Sequence, residues 1–324
     1  MMGGKKILLV EQEAHWGGRA PVDGAVIEGK PAEEWVKDAV ETLENAENVT
    51  LRTRCMGSGV YDHGYLLAYE RVSDHAPGAE GPRHRLWRVR TDAIITATGG
   101  LERPLSFPGN DTPGVMLASA LRDYITNWGV SPGDRVVIVT NNDDAYRTAL
   151  TVHEAGLTVA CVVDARPGKG GDLVEACINA GIRVETGKAI AAVGTRGKRL
   201  KSVDICAQAG EGAPLETIEC EAVAMSGGWS PVVHLWSHCG GKLLWSEENS
   251  HFYPDVSRFP TGDDGTQMVW TAGFASGAMS TPEVLENATK IAAEVCEVSG
   301  ATAPAAEAPN EAPMAPVWVM PQGA

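Results

Sequence analysis

The chain has 324 residues, 44% of them hydrophobic and 21% charged, and carries a net charge of −15. That length and balance fit a globular protein of two domains with a sizeable core. The acidic excess argues against nucleic acid and anionic membrane surfaces as partners, and no apolar run approaches the roughly 20 residues of a membrane span.

The opening residues MMGGKK run straight into an apolar stretch and leave no room for a signal peptide. Lys6–Glu13 (KILLVEQE) predicts a buried strand ending in Glu11. In dinucleotide-binding folds the second strand ends in an acid that accepts hydrogen bonds from an adenosine ribose. A surface acid after an edge strand is the alternative, but the paired glycines Gly17 and Gly18 suit the ribose reading. A first strand, a G-x-G-x-x-G turn and a helix, about 25–30 residues in all, would precede this point. The phosphate-cradling loop is therefore expected to be absent.

Pro31–Asn45 predicts a helix, with Trp35, Val36, Ala39, Val40 and Leu43 on one face. Val49–Cys55 predicts a strand. Gly59–Arg71 and Arg83–Arg90 read as paired strands joined by the polar loop Val72–Pro82.

Thr91–Gly114 organises the rest. Its run Ala93-Ile94-Ile95-Thr96-Ala97 stops at Thr98, Gly99 and Gly100. A buried parallel strand ending in a Gly-rich turn is where open α/β sheets bind ligands. Glycine there lets backbone N–H groups approach a phosphate or ribose with no Cβ between them.

Val115–Trp128 predicts a helix. Strand Arg135–Thr140, turn Asn141–Asp144, helix Ala145–Ala155 and strand Leu157–Asp164 then form a complete βαβ unit. Its turn reads TNNDDA where glycines would be needed, and Asp143 and Asp144 put two carboxylates where a pyrophosphate would lie. This second site is expected to be dead for a nucleotide and to persist as scaffold. A helix at Asp172–Ala180 and strands at Ile182–Ala192, Ser202–Ala209 and Glu216–Ala224 follow. The last runs into Ser226, Gly227 and Gly228, a second strand-to-glycine ending.

Met268–Gly277 is a third such turn, carrying Gly273 and Gly277, and it feeds a helix over Pro282–Val298. That helix N-terminus offers a second contact to a cofactor pyrophosphate. Beyond Gly300 the Ala/Pro-rich residues predict a linker or disordered tail. Cys55, Cys161, Cys177, Cys206, Cys220, Cys239 and Cys296 form no CxxC pair and read as reduced cytoplasmic thiols. His234 and His238 have a helical metal spacing but no third ligand in register, so core or interface positions are expected. No catalytic residue and no metal site is assigned.

The segments WRVRTDAIITATGGLERPLSFPGNDTPGVMLASALRDYI, VVIVTNNDDAYRTAL, AVAMSGGWSPVVHLWSHCGGKLLW and AGFASG together resemble the α subunit of heterotetrameric sarcosine oxidase. The resemblance covers roughly residues 5–300. It implies an α/β fold of two dinucleotide-binding, Rossmann-like domains of the glutathione/thioredoxin reductase type, the second inserted in the first. Residues 1–114 plus 241–300 would form the first, 115–240 the degenerate second, and 301–324 a tail or linker. That α subunit is larger at both ends. Its N-terminal Gly-rich loop and C-terminal folate-binding, aminomethyltransferase-like domain are not expected here.

The resemblance also implies NAD in the first site, amine oxidation on FAD in a β-subunit-like flavoprotein, and FMN at the interface with that partner. The γ and δ subunits would be further partners. Carried over by position, Glu11 matches the ribose acid, and Gly17 and Gly18 the adjacent turn. Thr98, Gly99 and Gly100 match the strand end beside the dinucleotide, and Gly273 and Gly277 the late turn. The rival reading is a non-catalytic scaffold subunit that has lost nucleotide binding. A free-standing NAD(P)H–flavin reductase would need an intact second nucleotide site, and TNNDDA argues against it.

Overall fold

A computed structural model describes residues 5–168, 170–262 and 265–321. The chain divides into two compact units. Unit 1 comprises Met1–Gly100, Pro231–Ser246 and His251–Ala308; unit 2 comprises Leu101–Ser230, Glu247–Ser250 and Pro309–Ala324. The fold is α/β, with Rossmann-like parallel strands in each unit and the body of the second interrupting the first in sequence.

Unit 2 is built on a five-stranded parallel sheet. Its order is Val115–Leu117, Ala222–Ser226, Arg135–Thr140, Thr158–Asp164 and Val184–Thr186. The central strands are continuous apolar runs because both faces of the sheet are covered. Val136 and Ile138 point to one face, where they pack with Leu121, Tyr146 and Val174 of the helices Ala118–Trp128, Asp144–Glu154 and Asp172–Asn179. Val137 and Val139 point to the other, against Ile190, Val203 and Ile218 of the antiparallel sheet Lys188–Arg196, Arg199–Ala207, Pro214–Glu219. The period of two along RVVIVT thus builds two cores from one strand.

Unit 1 has two parallel pairs: Ile7–Val10 with Val49–Arg52, and Ile94–Thr96 with Val269–Thr271. The helix Ala32–Glu44 makes the crossover of the first pair, and its residues Trp35, Val36, Ala39, Val40 and Leu43 lie on one face, as their spacing predicts. An antiparallel meander, Cys55–Tyr61, Tyr65–Arg71 and His84–Arg90, completes the unit around Val60, Ile94, Trp236 and Val269.

Several expectations change, and the predicted strand Ile182–Ala192 is in fact two, Val184–Thr186 and Lys188–Arg196. Gly59–Arg71 is not one strand: it turns at Asp62–Gly64, with His63 and Gly64 at φ of 60° and 62°. A Cβ on Gly64 would stand 2.0 Å from the Thr91 carbonyl oxygen, so only glycine fits that turn. Val115–Leu117 is an edge strand paired with Val223–Met225, and the helix starts only at Ala118. Sheet pairing there overrides helical periodicity. The Ala/Pro-rich segment is not a loose tail. Ala306–Glu307 pairs with Val26–Ile27 in unit 1, and residues 309–320 are hydrogen-bonded within unit 2.

Among the described residues no helix is long and apolar enough to cross a membrane.

Candidate functional site

The expected site residues of unit 1 lie at, or in the turns that follow, the carboxyl ends of two parallel strand pairs. Glu11 follows Val10, bonded through its amide to the Arg52 carbonyl (2.8 Å). Its Oε1 accepts the Glu13 amide at 2.9 Å, so one carboxylate oxygen holds its own turn. Gly17 has φ 101°, and a Cβ there would meet Val36 and Pro21 at 2.9–3.2 Å. It is a packing glycine against the helix Ala32–Glu44. Gly18, at φ 54°, has nothing within 4 Å of that position, so its backbone face is open.

In the second pair, Thr98 donates its hydroxyl to the Val232 carbonyl (2.6 Å), and the Val232 amide donates to Gly99 O (2.9 Å). Gly99 has φ 69° with open space beside it, and Gly100 begins the strand Gly100–Glu102. Across the pair, the Ala272 amide donates to Thr96 O (3.0 Å). Gly273, at φ 65°, donates its amide to Asn287 Oδ1 at 2.8 Å. Gly277, at φ 100°, closes the same turn by donating its amide to Phe274 O (3.0 Å), and it packs beside Tyr253. Asn287 had no signal in the sequence, since a helical Asn aimed at a preceding turn looks like any surface Asn.

These ends fit a nucleotide in part. Gly18 and Gly99 present accessible backbone, and the buried Thr271 hydroxyl, at the end of its strand, lacks a hydrogen-bond partner among the described residues. The helix Thr281–Cys296 does not fit its expected part. Ser280 and Glu283 form a capping box, and the Glu283 carboxylate accepts the Ser280 and Met279 amides at 2.9 and 3.0 Å. Those backbone bonds hold the Glu283 carboxyl below the usual range. An anion at this helix start would meet a carboxylate in place of free N–H groups.

His234 and His238 sit on the short helix His234–His238, and the His238 ring stands edge-on to Tyr61 at 5.1 Å. No cluster of metal-ligating side chains occurs among the described residues.

In unit 2 the strand ends Thr140, Asp164 and Ser226 converge on the turn Asn141–Asp143. Asn142 ties the turn together, donating to Ser226 O and Oγ and accepting the Asp144 amide. Asp143, Asp164 and Arg166 are buried together, Arg166 bridging the two carboxylates. Burial works against the Arg166 charge, and the flanking Asp164 and Asp143 outweigh it, raising its pKa. Asp144 is taken by the fully buried Arg122 (3.0 Å) and by the Trp229 indole N–H (3.1 Å). Both turn carboxylates are thus engaged inside the protein, and residues 309–320 lie over the turn.

Two further acidic and basic groups escaped sequence reasoning. Glu102 is buried, accepts the Ser119 amide at 2.9 Å, and has its pKa raised by burial and next by Asp144. Arg103 is half-buried, donates to the Asn249 and Ser250 carbonyls, and is pushed down to about 10 by burial.

No protein-family model matches the chain. The sarcosine oxidase α subunit of Rhizobium meliloti (strain 1021) is 37% identical over 257 residues, 77% of this chain and 24% of that protein. The sarcosine oxidase α subunit of Corynebacterium sp. (strain P-1) is 33% identical over 330 residues, 98% of this chain and 33% of that protein. One of the opine oxidase subunits of Rhizobium meliloti is 25% identical over 58% of this chain and 38% of that protein. Among solved structures, Lactococcus lactis thioredoxin reductase aligns with a TM-score of 0.62 at 17% identity, covering 90% of this chain and 89% of that one. L-proline dehydrogenase from P. horikoshii aligns at 0.59 and 18% identity, covering 92% and 52%. These structural likenesses show the fold. The chain spans a quarter to a third of the length of its sarcosine oxidase relatives, and over that span its sequence identifies it as a member of the sarcosine oxidase α-like family.

Proposed function

We propose that the chain is an α-type subunit of a hetero-oligomeric, flavin-dependent amine oxidoreductase, with unit 1 holding NAD. Three features carry this reading: open backbone at Gly18, in the turn region after the strand Ile7–Val10, open backbone at Gly99, and the unsatisfied Thr271 hydroxyl at a parallel strand end, all on a sarcosine oxidase α-like sequence. Glu11 would accept ribose hydroxyls through Oε2, the oxygen not committed to Glu13. A carboxylate there favours NAD over a 2′-phosphorylated nucleotide. Thr98, Gly99, Gly100 and Gly273 would line the backbone approach, with Asn287 fixing the Gly273 turn. Bound NAD supplies hydride-accepting chemistry.

In the resembled family the amine is oxidised on a partner subunit, and no residue of these strand ends is assigned a catalytic part. Oxidation of the amine, sarcosine or another N-methyl amine, is therefore assigned to FAD in a β-like partner flavoprotein. FMN would lie at the interface with that partner, γ- and δ-type subunits would complete the assembly, and the reduced thiols suit a cytoplasmic setting. The relatives are themselves named as subunits of larger oxidases, one acting on sarcosine and one on opines, which supports a hetero-oligomer.

The test is to denature the purified chain and quantify released NAD, FAD and FMN by mass spectrometry, then assay the co-expressed complex for sarcosine-dependent oxygen uptake. About one NAD per chain and measurable uptake are expected. Uptake without NAD would remove the NAD assignment; an assembled complex with no uptake for any N-methyl amine would remove the oxidase reading. The scaffold alternative draws on the Ser280–Glu283 capping box, which closes one expected phosphate contact. Stoichiometric nucleotide release would eliminate it.

A further inference from the structure

We infer that the dinucleotide-type crevice of unit 2 is a peptide-binding site, and that its ligand is the chain's own segment 309–320. Doubly wound sheets bind their ligands outside the carboxyl ends of their strands. In unit 2 that place lies beyond Thr140, Asp164 and Ser226, and the segment crosses it. Near its start, Asn310 exchanges hydrogen bonds with Asp172: its carbonyl accepts the Asp172 amide (2.9 Å) and its own amide donates to the Asp172 carboxylate (2.9 Å). The Ala312 amide donates to Asp143 Oδ2 (2.7 Å). Ala315 donates its amide to Asn141 O (3.0 Å) and accepts from Asn141 Nδ2 (2.8 Å). Trp318 donates its indole N–H to Gly227 O (2.7 Å), and its ring lies 4.9 Å from the Arg103 guanidinium carbon.

The chemistry of the crevice suits a peptide and opposes a phosphate. Asp143 and Asp164 set two carboxylates against the single Arg166 cation, a net negative charge that opposes a pyrophosphate, whereas a buried carboxylate is a strong acceptor for a backbone N–H. The glycines after Ser226 keep their steric purpose with a different ligand. A Cβ on Gly227 would stand 2.8 Å from Trp318 Cδ1, and one on Gly228 2.5 Å from Met314 Sδ. Pro309, Pro313 and Pro316 restrict the segment toward extended conformations before it docks, which lowers the ordering entropy. Main-chain hydrogen bonds hold the segment, and Trp318 and Met314 anchor it by their side chains, as in recognition of an extended peptide.

The test leaves folding intact. A protease site is placed between Ala308 and Pro309, the full chain is folded, and the bond is then cut. The freed segment is expected to co-elute with the body at one to one on gel filtration. A labelled peptide of residues 309–321 is expected to exchange into the cut protein. Ala312→Pro in the peptide, which removes the N–H facing Asp143, and Trp318→Ala should each weaken that exchange at least tenfold. Millimolar NAD, FAD or FMN should not displace the label. Release of the segment on cutting, with no change in the thermal midpoint, would overturn the inference. Displacement by a dinucleotide would also overturn it, by showing the crevice to be a nucleotide site.

Discussion

Tyr146 donates its hydroxyl to Asp164 at 2.8 Å, with both side chains withdrawn from solvent. Asp164 is the acid that ends the second strand of a βαβ unit, where a dinucleotide fold would offer it to a ribose. Here Tyr146 and Arg166 consume it. Tyr146→Phe keeps the ring packing and removes one donor to a buried carboxylate. The expected cost is about 1–3 kcal/mol by urea denaturation, with nucleotide content unchanged. A variant of wild-type stability would show that Arg166 alone satisfies Asp164.

Glu102 gives a signed pH dependence. Its pKa is raised in the folded state, by burial and next by Asp144, from an ordinary value of 4.5. The folded chain therefore holds a proton that the unfolded chain releases. The resulting stabilisation is complete below the ordinary value and is lost as pH rises through the folded pKa. Glu102→Gln retains an acceptor for the Ser119 amide and removes the titration. Relative to the parent, its thermal midpoint should improve as pH goes from about 5 to about 8. A difference independent of pH would refute this account.

The two kinds of glycine in unit 1 should separate in the laboratory. Gly17→Ala pushes a methyl into Val36 and should cost stability without touching a ligand. Gly99→Ala meets no neighbour, so its fold cost is limited to the strain of φ 69°, about 1–2 kcal/mol. If Gly99 backs a nucleotide, retention of NAD should fall far more than stability. Equal nucleotide retention in both variants would place the cofactor elsewhere.

The five buried thiols should be silent in the native state. Burial pushes Cys55 up to about 11 and Cys161, Cys177 and Cys220 up to about 12, and Cys206 is also buried and raised. Titration with an aromatic disulfide near pH 8 should modify only the partly exposed Cys239 and Cys296, the other five reacting on unfolding. Rapid native modification of Cys161 or Cys177 would mean that unit 2 opens easily.

The central sheet of unit 2 is legible because RVVIVT and TVACVVD are apolar on both faces, and only full cover explains that. The capping box is also legible, as Ser280-Thr281-Pro282-Glu283 with the acid at the third helical position. Val115–Leu117 was not legible as a strand, since its partner lies more than a hundred residues on and local periodicity favours helix. Nor was the hold on residues 309–320. Alanine and proline give no hydrophobic period, and what fastens the segment is main-chain hydrogen bonding to distant side chains, which composition does not record. The same limit hid Arg166: its partners Asp143 and Asp164 are visible in the sequence, but their meeting is a product of the sheet register.

The Asn310–Asp172 contact spans 138 positions, and the segment that carries it is synthesised after every strand of the sheet it crosses. On the ribosome, the parallel sheet of unit 2 can assemble well before that segment emerges, but Asp143 then lacks the Ala312 N–H and Gly227 lacks the Trp318 indole. Nascent unit 2 is therefore a body with its crevice uncovered, and the cover arrives only when residues 309–320 have cleared the exit tunnel.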